Sequence, residues 1–205
     1  MLHTRGGLNE HTRSEASWLA SQGFIAYAPD YFTPVGVTPL SFDRQTFTLR
    51  YSDAVRDLLA GAISCLRERG DVDRSRVGVV GFSMGGYFAA VLAARDDVNA
   101  AAAWYAAYAG SPANNVPAQH SWSDVAAAAK RPLLLLHGDA DQDVRIDFAR
   151  RAGAELQRLG KRSELVVYPG AGHGYDQQGS SQYAYDAAAT ADSRARTLAW
   201  LRGAR

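Results

Sequence analysis

Five short apolar runs without polar alternation, separated by longer stretches of mostly helical spacing, constrain the fold of this chain more than any other feature. They are residues 24–28 (FIAYA), 77–82 (VGVVGF), 100–105 (AAAAWY), 132–137 (PLLLLH) and 164–169 (ELVVYP). A strand without a polar face must be covered on both sides. The economical arrangement is a parallel sheet between two layers of helices. Helices are expected near 9–21, 52–69, 84–95, 143–159 and 182–201, with the alanine run 126–129 as a short helical connector. The alanine-rich stretch from Ala100 is read as strand in its first half because it falls where the next strand is due. No repeat, linker or low-complexity tract divides the 205 residues, so one domain over 1–205 is expected.

Composition excludes several classes of function. The 22 basic and 21 acidic residues leave a net charge of +1, which gives no basic face for nucleic acid or an anionic membrane. No apolar run is long enough to span a bilayer. The first residues, MLHTRGGLNEHTR, lack the apolar core of a signal peptide. Cys65 is the only cysteine, so no intrachain disulfide can form, which suits a reducing compartment and a cytoplasmic location. Phosphate-binding glycine patterns are absent. No His, Cys and Asp set has ligand spacing, so neither a metal nor a cofactor is expected.

The chemistry concentrates in three segments. Gly81-Phe82-Ser83-Met84-Gly85-Gly86 stands between the strand VGVV and the helical YFAAVLAA. A G-x-S-x-G turn in that context exposes the serine oxygen and aims a helix N-terminus at the place where negative charge develops. The glycines at 81 and 85 are required where a Cβ would strike the neighbouring strand or helix. Serine needs a base. His173 lies in Gly170-Ala171-Gly172-His173-Gly174-Tyr175 after the fifth run. An acid follows the fourth run in Gly138-Asp139-Ala140-Asp141-Gln142-Asp143. Asp139, Asp141 and Asp143 are all candidates, Asp143 also suiting a helix N-cap and Asp139 a turn. His137 reads as structural, and His3, His11 and His120 have no triad context.

These segments resemble the dienelactone hydrolase family, and the likeness runs almost end to end. His3-Thr4-Arg5-Gly6-Gly7-Leu8-Asn9, Ser17-Trp18-Leu19, Gly23-Phe24, Ala28-Pro29-Asp30, the elbow, His137-Gly138-x-x-Asp141 and Gly170–Tyr175 all take part. The resemblance implies an α/β-hydrolase fold, an open, mostly parallel sheet with helices on both faces. It also implies a catalytic triad of Ser83, Asp141 and His173, and an oxyanion hole from the N–H groups of Met84 and Arg5. Three departures stand out. Serine replaces the family's cysteine nucleophile, Thr4 replaces a glutamate before the oxyanion residue, and Gln177 replaces a carboxylate-binding arginine. Arg44 or Arg50 is a loose counterpart of a second arginine. Because the chain begins almost on the oxyanion segment, the sheet is expected to lack the family's first strands and to hold about five, with another segment or subunit over the uncovered edge.

The resulting expectation is a carboxylesterase or lactonase acting on a small-molecule ester or lactone. The alternatives are an amide or peptide hydrolase on the same triad and a non-catalytic binding protein on this scaffold. Trp104, Tyr105, Tyr175 and Gln177 are expected at the substrate, with Phe82, Tyr108 and Trp122 as further wall candidates. The oligomeric state stays open, a homodimer included.

Overall fold

The structure is a computed structural model that describes residues 1–108 and 118–203, with the side chains of residues 44 and 45 set aside. The strands are β1 (Gly78–Phe82), β2 (Ala100–Trp104), β3 (Leu133–Gly138) and β4 (Ser163–Tyr168). They form one parallel sheet in the order β1-β2-β3-β4. Around it lie α1 (Glu10–Ser21), α2 (Arg44–Glu68), α3 (Met84–Leu92), α4 (Trp122–Ala128), α5 (Ile146–Arg158) and α6 (Ala187–Gly203). This is the α/β-hydrolase arrangement expected, with helices on both faces.

The period-two geometry of a strand divides the core. Val79, Ala101, Ala103, Leu133 and Leu135 meet the apolar faces of α2, α3, α4 and α5. Val80, Phe82, Ala102, Trp104, Leu134 and Leu136 meet α1 and α6. Leu133 to Leu136 are all at most 1% exposed. Burial of each contributes about 2 kcal/mol. The alanine run does form a strand. Its register pairs Ala101 with Val79 on one side and Leu133 on the other.

Four elements depart from expectation. The run 24–28 is extended but is not a strand, so the sheet has four strands rather than five among the described residues. A strand needs a ladder of partners, and none is formed by this run among the described residues. Leu2 makes an isolated parallel bridge to Gly81, and the Met1 amino group donates to the Tyr27 carbonyl at 2.7 Å. Helix α2 starts eight residues earlier than expected. Thr46, Phe47, Thr48 and Tyr51 are poor helix formers, but Phe47, Val55 and Leu59 share one buried stripe that carries the helix back. Helix α6 starts later, at a cap where Asp186 Oδ1 accepts the Ala189 N–H at 2.9 Å. Asp143 does not cap α5, whose N-cap position is Arg145.

Candidate active site

Ser83 sits between β1 and α3 with φ 52° and ψ −112°, a conformation that side chains other than glycine rarely adopt. Such strain costs on the order of 1–3 kcal/mol and persists only when its surroundings hold it. Here the Ser83 N–H donates to the Trp104 carbonyl at 2.9 Å, and the Ser83 carbonyl accepts from Ala107 N–H at 3.0 Å. The flanking glycines are sterically required. A Cβ on Gly81 would lie 2.0 Å from the Gly85 carbonyl oxygen, and one on Gly85 would lie 2.3 Å from the Leu2 carbonyl oxygen.

The loop after β4 brings His173 over this turn. Its Nε2 lies 3.0 Å from Ser83 Oγ, and its Nδ1 lies 2.7 Å from Asp141 Oδ2. With Asp141 ionised, Nδ1 carries the proton and Nε2 is left to accept from the serine hydroxyl. Burial alone pushes the Asp141 carboxyl upward. Hydrogen bonds from His137 and His173, the charge of His173 and the Val144 N–H outweigh it, holding the group well below the usual carboxylate range. Asp141 Oδ1 accepts the N–H groups of Asp143 at 2.9 Å and Val144 at 2.7 Å, which locks the carboxylate's orientation. His137 Nε2 donates to the Val144 carbonyl at 2.8 Å and lies 3.3 Å from Asp141 Oδ2, a structural role as its position suggested.

The rival acids are both exposed. Asp139 Oδ1 accepts the Gly170 N–H at 2.7 Å, and the Ala140 N–H donates to the Ala171 carbonyl at 3.1 Å. These bonds tie the acid loop to the histidine loop. Asp143 Oδ2 accepts from the Tyr183 hydroxyl at 3.2 Å.

A cavity of about 470 Å³ opens over Ser83 and His173, lined by Arg5, Met84 and Gln177 and also by Leu40, Asp43, Asp143 and Tyr183. The N–H groups of Arg5 and Met84 donate to no acceptor among the described residues. The three aromatic side chains expected to face substrate lie elsewhere. Trp104, Tyr105 and Tyr175 are fully buried and line no part of this cavity. Their polar ends are satisfied inside, by Thr197 Oγ1, Asp176 and Ser193 Oγ respectively. Phe82, Tyr108 and Trp122 are core residues too. Arg44 opens α2, but its side chain lies outside the described residues. Arg50 is exposed, with its guanidinium 5.5 Å from the Tyr51 ring centroid. The loop residues Leu40, Asp43 and Tyr183 carry no periodic signal that would have marked them in advance.

The sequence profile described as "Dienelactone hydrolase family" matches residues 1–204. A protein of Methylorubrum extorquens named "Putative carboxymethylenebutenolidase" is 31% identical over 175 residues, covering 82% of this chain and 60% of that protein. One of the same name from Escherichia coli K12 is 29% identical, covering 96% of this chain and 73% of the relative. The crystal structure of a "Putative Dienelactone Hydrolase" from Klebsiella pneumoniae superposes with a TM-score of 0.83 at 28% identity. That superposition covers 98% of this chain and 84% of the other. No helix among the described residues is long and apolar enough to cross a membrane.

Proposed function

The chain belongs to the dienelactone hydrolase family, a family of carboxylic ester hydrolases, and from that premise we propose that it cleaves small, neutral carboxylic esters and lactones through an acyl-enzyme on Ser83. The observation that carries this reading is the unbroken chain of hydrogen bonds from Ser83 Oγ to His173 to Asp141, at 3.0 and 2.7 Å. His173 takes the hydroxyl proton as Ser83 Oγ attacks the carbonyl carbon. The N–H groups of Met84 and Arg5 face the oxygen that gains the negative charge, the first of them at the N-terminus of α3. Collapse breaks the carbon–oxygen bond, and His173 returns its proton to the leaving alcohol. Water then attacks the acyl-enzyme with His173 again as base, freeing the acid and restoring Ser83. In a lactone the leaving alcohol stays attached to the acyl group and departs with it. No cofactor enters this sequence, and a cytoplasmic setting suits a protein whose only cysteine is unpaired.

The neutrality of the substrate rests on one side chain of the cavity wall, Gln177. Gln177 stands where the family resemblance implies an arginine. A bidentate clamp for a substrate carboxylate is therefore missing at that point.

A substrate panel tests the reading: p-nitrophenyl acetate, a neutral γ-lactone, a dienelactone bearing a free carboxylate, and an aminoacyl p-nitroanilide. The two neutral substrates should turn over, and the neutral lactone should have a kcat/KM at least equal to that of the carboxylated lactone, since no bidentate contact at position 177 favours the carboxylate. Faster cleavage of the anilide than of the esters would overturn the ester assignment. Preference for the carboxylated lactone would overturn the argument from charge.

A further inference from the structure

Next to the triad lies a buried polar cluster that the mechanism above leaves unused. Its centre is Asp176, three residues beyond His173, with a side chain fully shielded from solvent. Oδ1 accepts the Tyr105 hydroxyl at 2.7 Å, and Oδ2 accepts His11 Nε2 at 2.8 Å. Behind them Arg194 of α6 pairs with Glu15 of α1 through both carboxylate oxygens. His11, Glu15 and Asp176 bring ligand-type atoms within 4.8 Å of one another. The donors of Arg194 and Tyr105 already occupy the oxygens a cation would use, so this is a hydrogen-bonded network and not a vacant metal site.

A buried carboxylate is expensive to maintain, and an apolar side chain of similar volume would pack there at lower cost. What the carboxylate provides is direction. The Tyr105 ring stands edge-on to the His173 imidazole, with centroids 4.8 Å apart and planes at 65°. Tyr105 itself is held at φ +37°, and its N–H donates to the Leu136 carbonyl at 2.7 Å. The His11 ring packs edge-on against Phe82, the residue before the nucleophile, with centroids 5.1 Å apart. Burial lowers the affinity of His11 for a proton, but Asp176 and the charge of Glu15 outweigh it and raise its pKa.

We propose that Asp176 is a positioning residue for the general base: it holds Tyr105 against His173 and, through His11, ties the histidine loop to the strand that carries Ser83. The inference rests on the triad reading given above. Neither Asp176, Tyr105 nor His11 lines the cavity. Their loss should therefore disturb the attack geometry while leaving substrate binding almost intact.

The test is steady-state kinetics of Asp176→Ala, Tyr105→Phe and the double variant on p-nitrophenyl acetate, per active site titrated with a fluorophosphonate. Misplacing a catalytic group by about 1 Å costs up to roughly 100-fold. Asp176→Ala should lower kcat by about 10- to 100-fold with KM within about twofold, and the rate of fluorophosphonate labelling should fall by a similar factor. Tyr105→Phe, which removes one hydroxyl and keeps the ring, should lower kcat in the same direction. The double variant should be no slower than Asp176→Ala, because both break one link. Full kcat per titrated site in Tyr105→Phe or Asp176→Ala, with only the melting temperature reduced, would show a purely structural cluster and overturn the proposal. Ser83→Ala separates the two readings. If it keeps activity the triad itself is wrong. If it is inactive while the Asp176 variants are normal, only the positioning role falls.

Discussion

Replacing Asp141 by asparagine probes the base through a single atom. Oδ1 of Asp141 accepts two backbone N–H groups, from Asp143 at 2.9 Å and Val144 at 2.7 Å. An asparagine at 141 must keep its only oxygen there, since turning the amide would set an NH₂ against two donors. Its NH₂ then faces His173 Nδ1, which lies 2.7 Å from Oδ2 in the native site. Nδ1 must become an acceptor, so the ring proton moves to Nε2 and points at Ser83 Oγ. The imidazole can no longer take the serine proton. A wrong tautomer with intact geometry lowers kcat by about 10⁴, or roughly 5 kcal/mol of transition-state stabilisation. KM should change little, because Asp141 does not line the cavity. The assay is p-nitrophenyl acetate hydrolysis by Asp141→Asn beside Asp139→Asn and Asp143→Asn, with folding checked by circular dichroism. The two controls should stay within about tenfold of the wild type, since neither acid touches His173. A well-folded Asp141→Asn within tenfold of the wild type, or a larger loss in either control, would refute the assignment of the acid.

Two further predictions concern stability. Gly81→Ala places a Cβ 2.0 Å from a backbone oxygen that no rotamer change can move. The variant should lose at least about 3 kcal/mol in urea unfolding or fail to fold, and a loss under 1 kcal/mol would contradict the tight elbow. His3 is buried, with Nδ1 donating to the Thr4 carbonyl at 2.7 Å, and burial pushes its pKa from 6.5 down to about 4. The unfolded chain binds this proton below pH 6.5 and the folded chain only near pH 4. The contribution to stability is therefore complete above pH 6.5 and declines as pH falls, by about 3 kcal/mol at pH 4. Urea unfolding of the wild type and His3→Gln between pH 7 and 4.5 should show a steeper decline in the wild type, and parallel curves would contradict it.

The parts legible in the sequence were those where chemistry and local geometry leave little choice. A serine between Gly81 and Gly85, after a buried strand and before a helix, has few conformations open to it. The leucines of β3 can only be interior. The order of acid and histidine after successive strands pointed to His173 and to the segment 139–143, and the family resemblance singled out Asp141 within it. What stayed illegible depends on partners distant in sequence. Whether Trp104, Tyr105 and Tyr175 face substrate or core was decided by hydrogen-bond partners supplied at Thr197, Asp176 and Ser193. The run 24–28 has the composition of a strand, but strand formation belongs to the ladder and not to the run. Leu40, Asp43 and Tyr183 reach the cavity from irregular loops, where no repeating pattern marks which side chains turn inward.

Covalent labelling mapped to a residue tests the central claim most directly. After reaction with a fluorophosphonate and digestion, peptide mass spectrometry should find one phosphonyl group per chain, on Ser83 Oγ. Esterase activity should disappear in step with its incorporation, and incorporation should slow greatly in His173→Ala. An unlabelled Ser83 in an active preparation, or a label on another residue whose loss abolishes activity while Ser83→Ala retains it, would contradict the account.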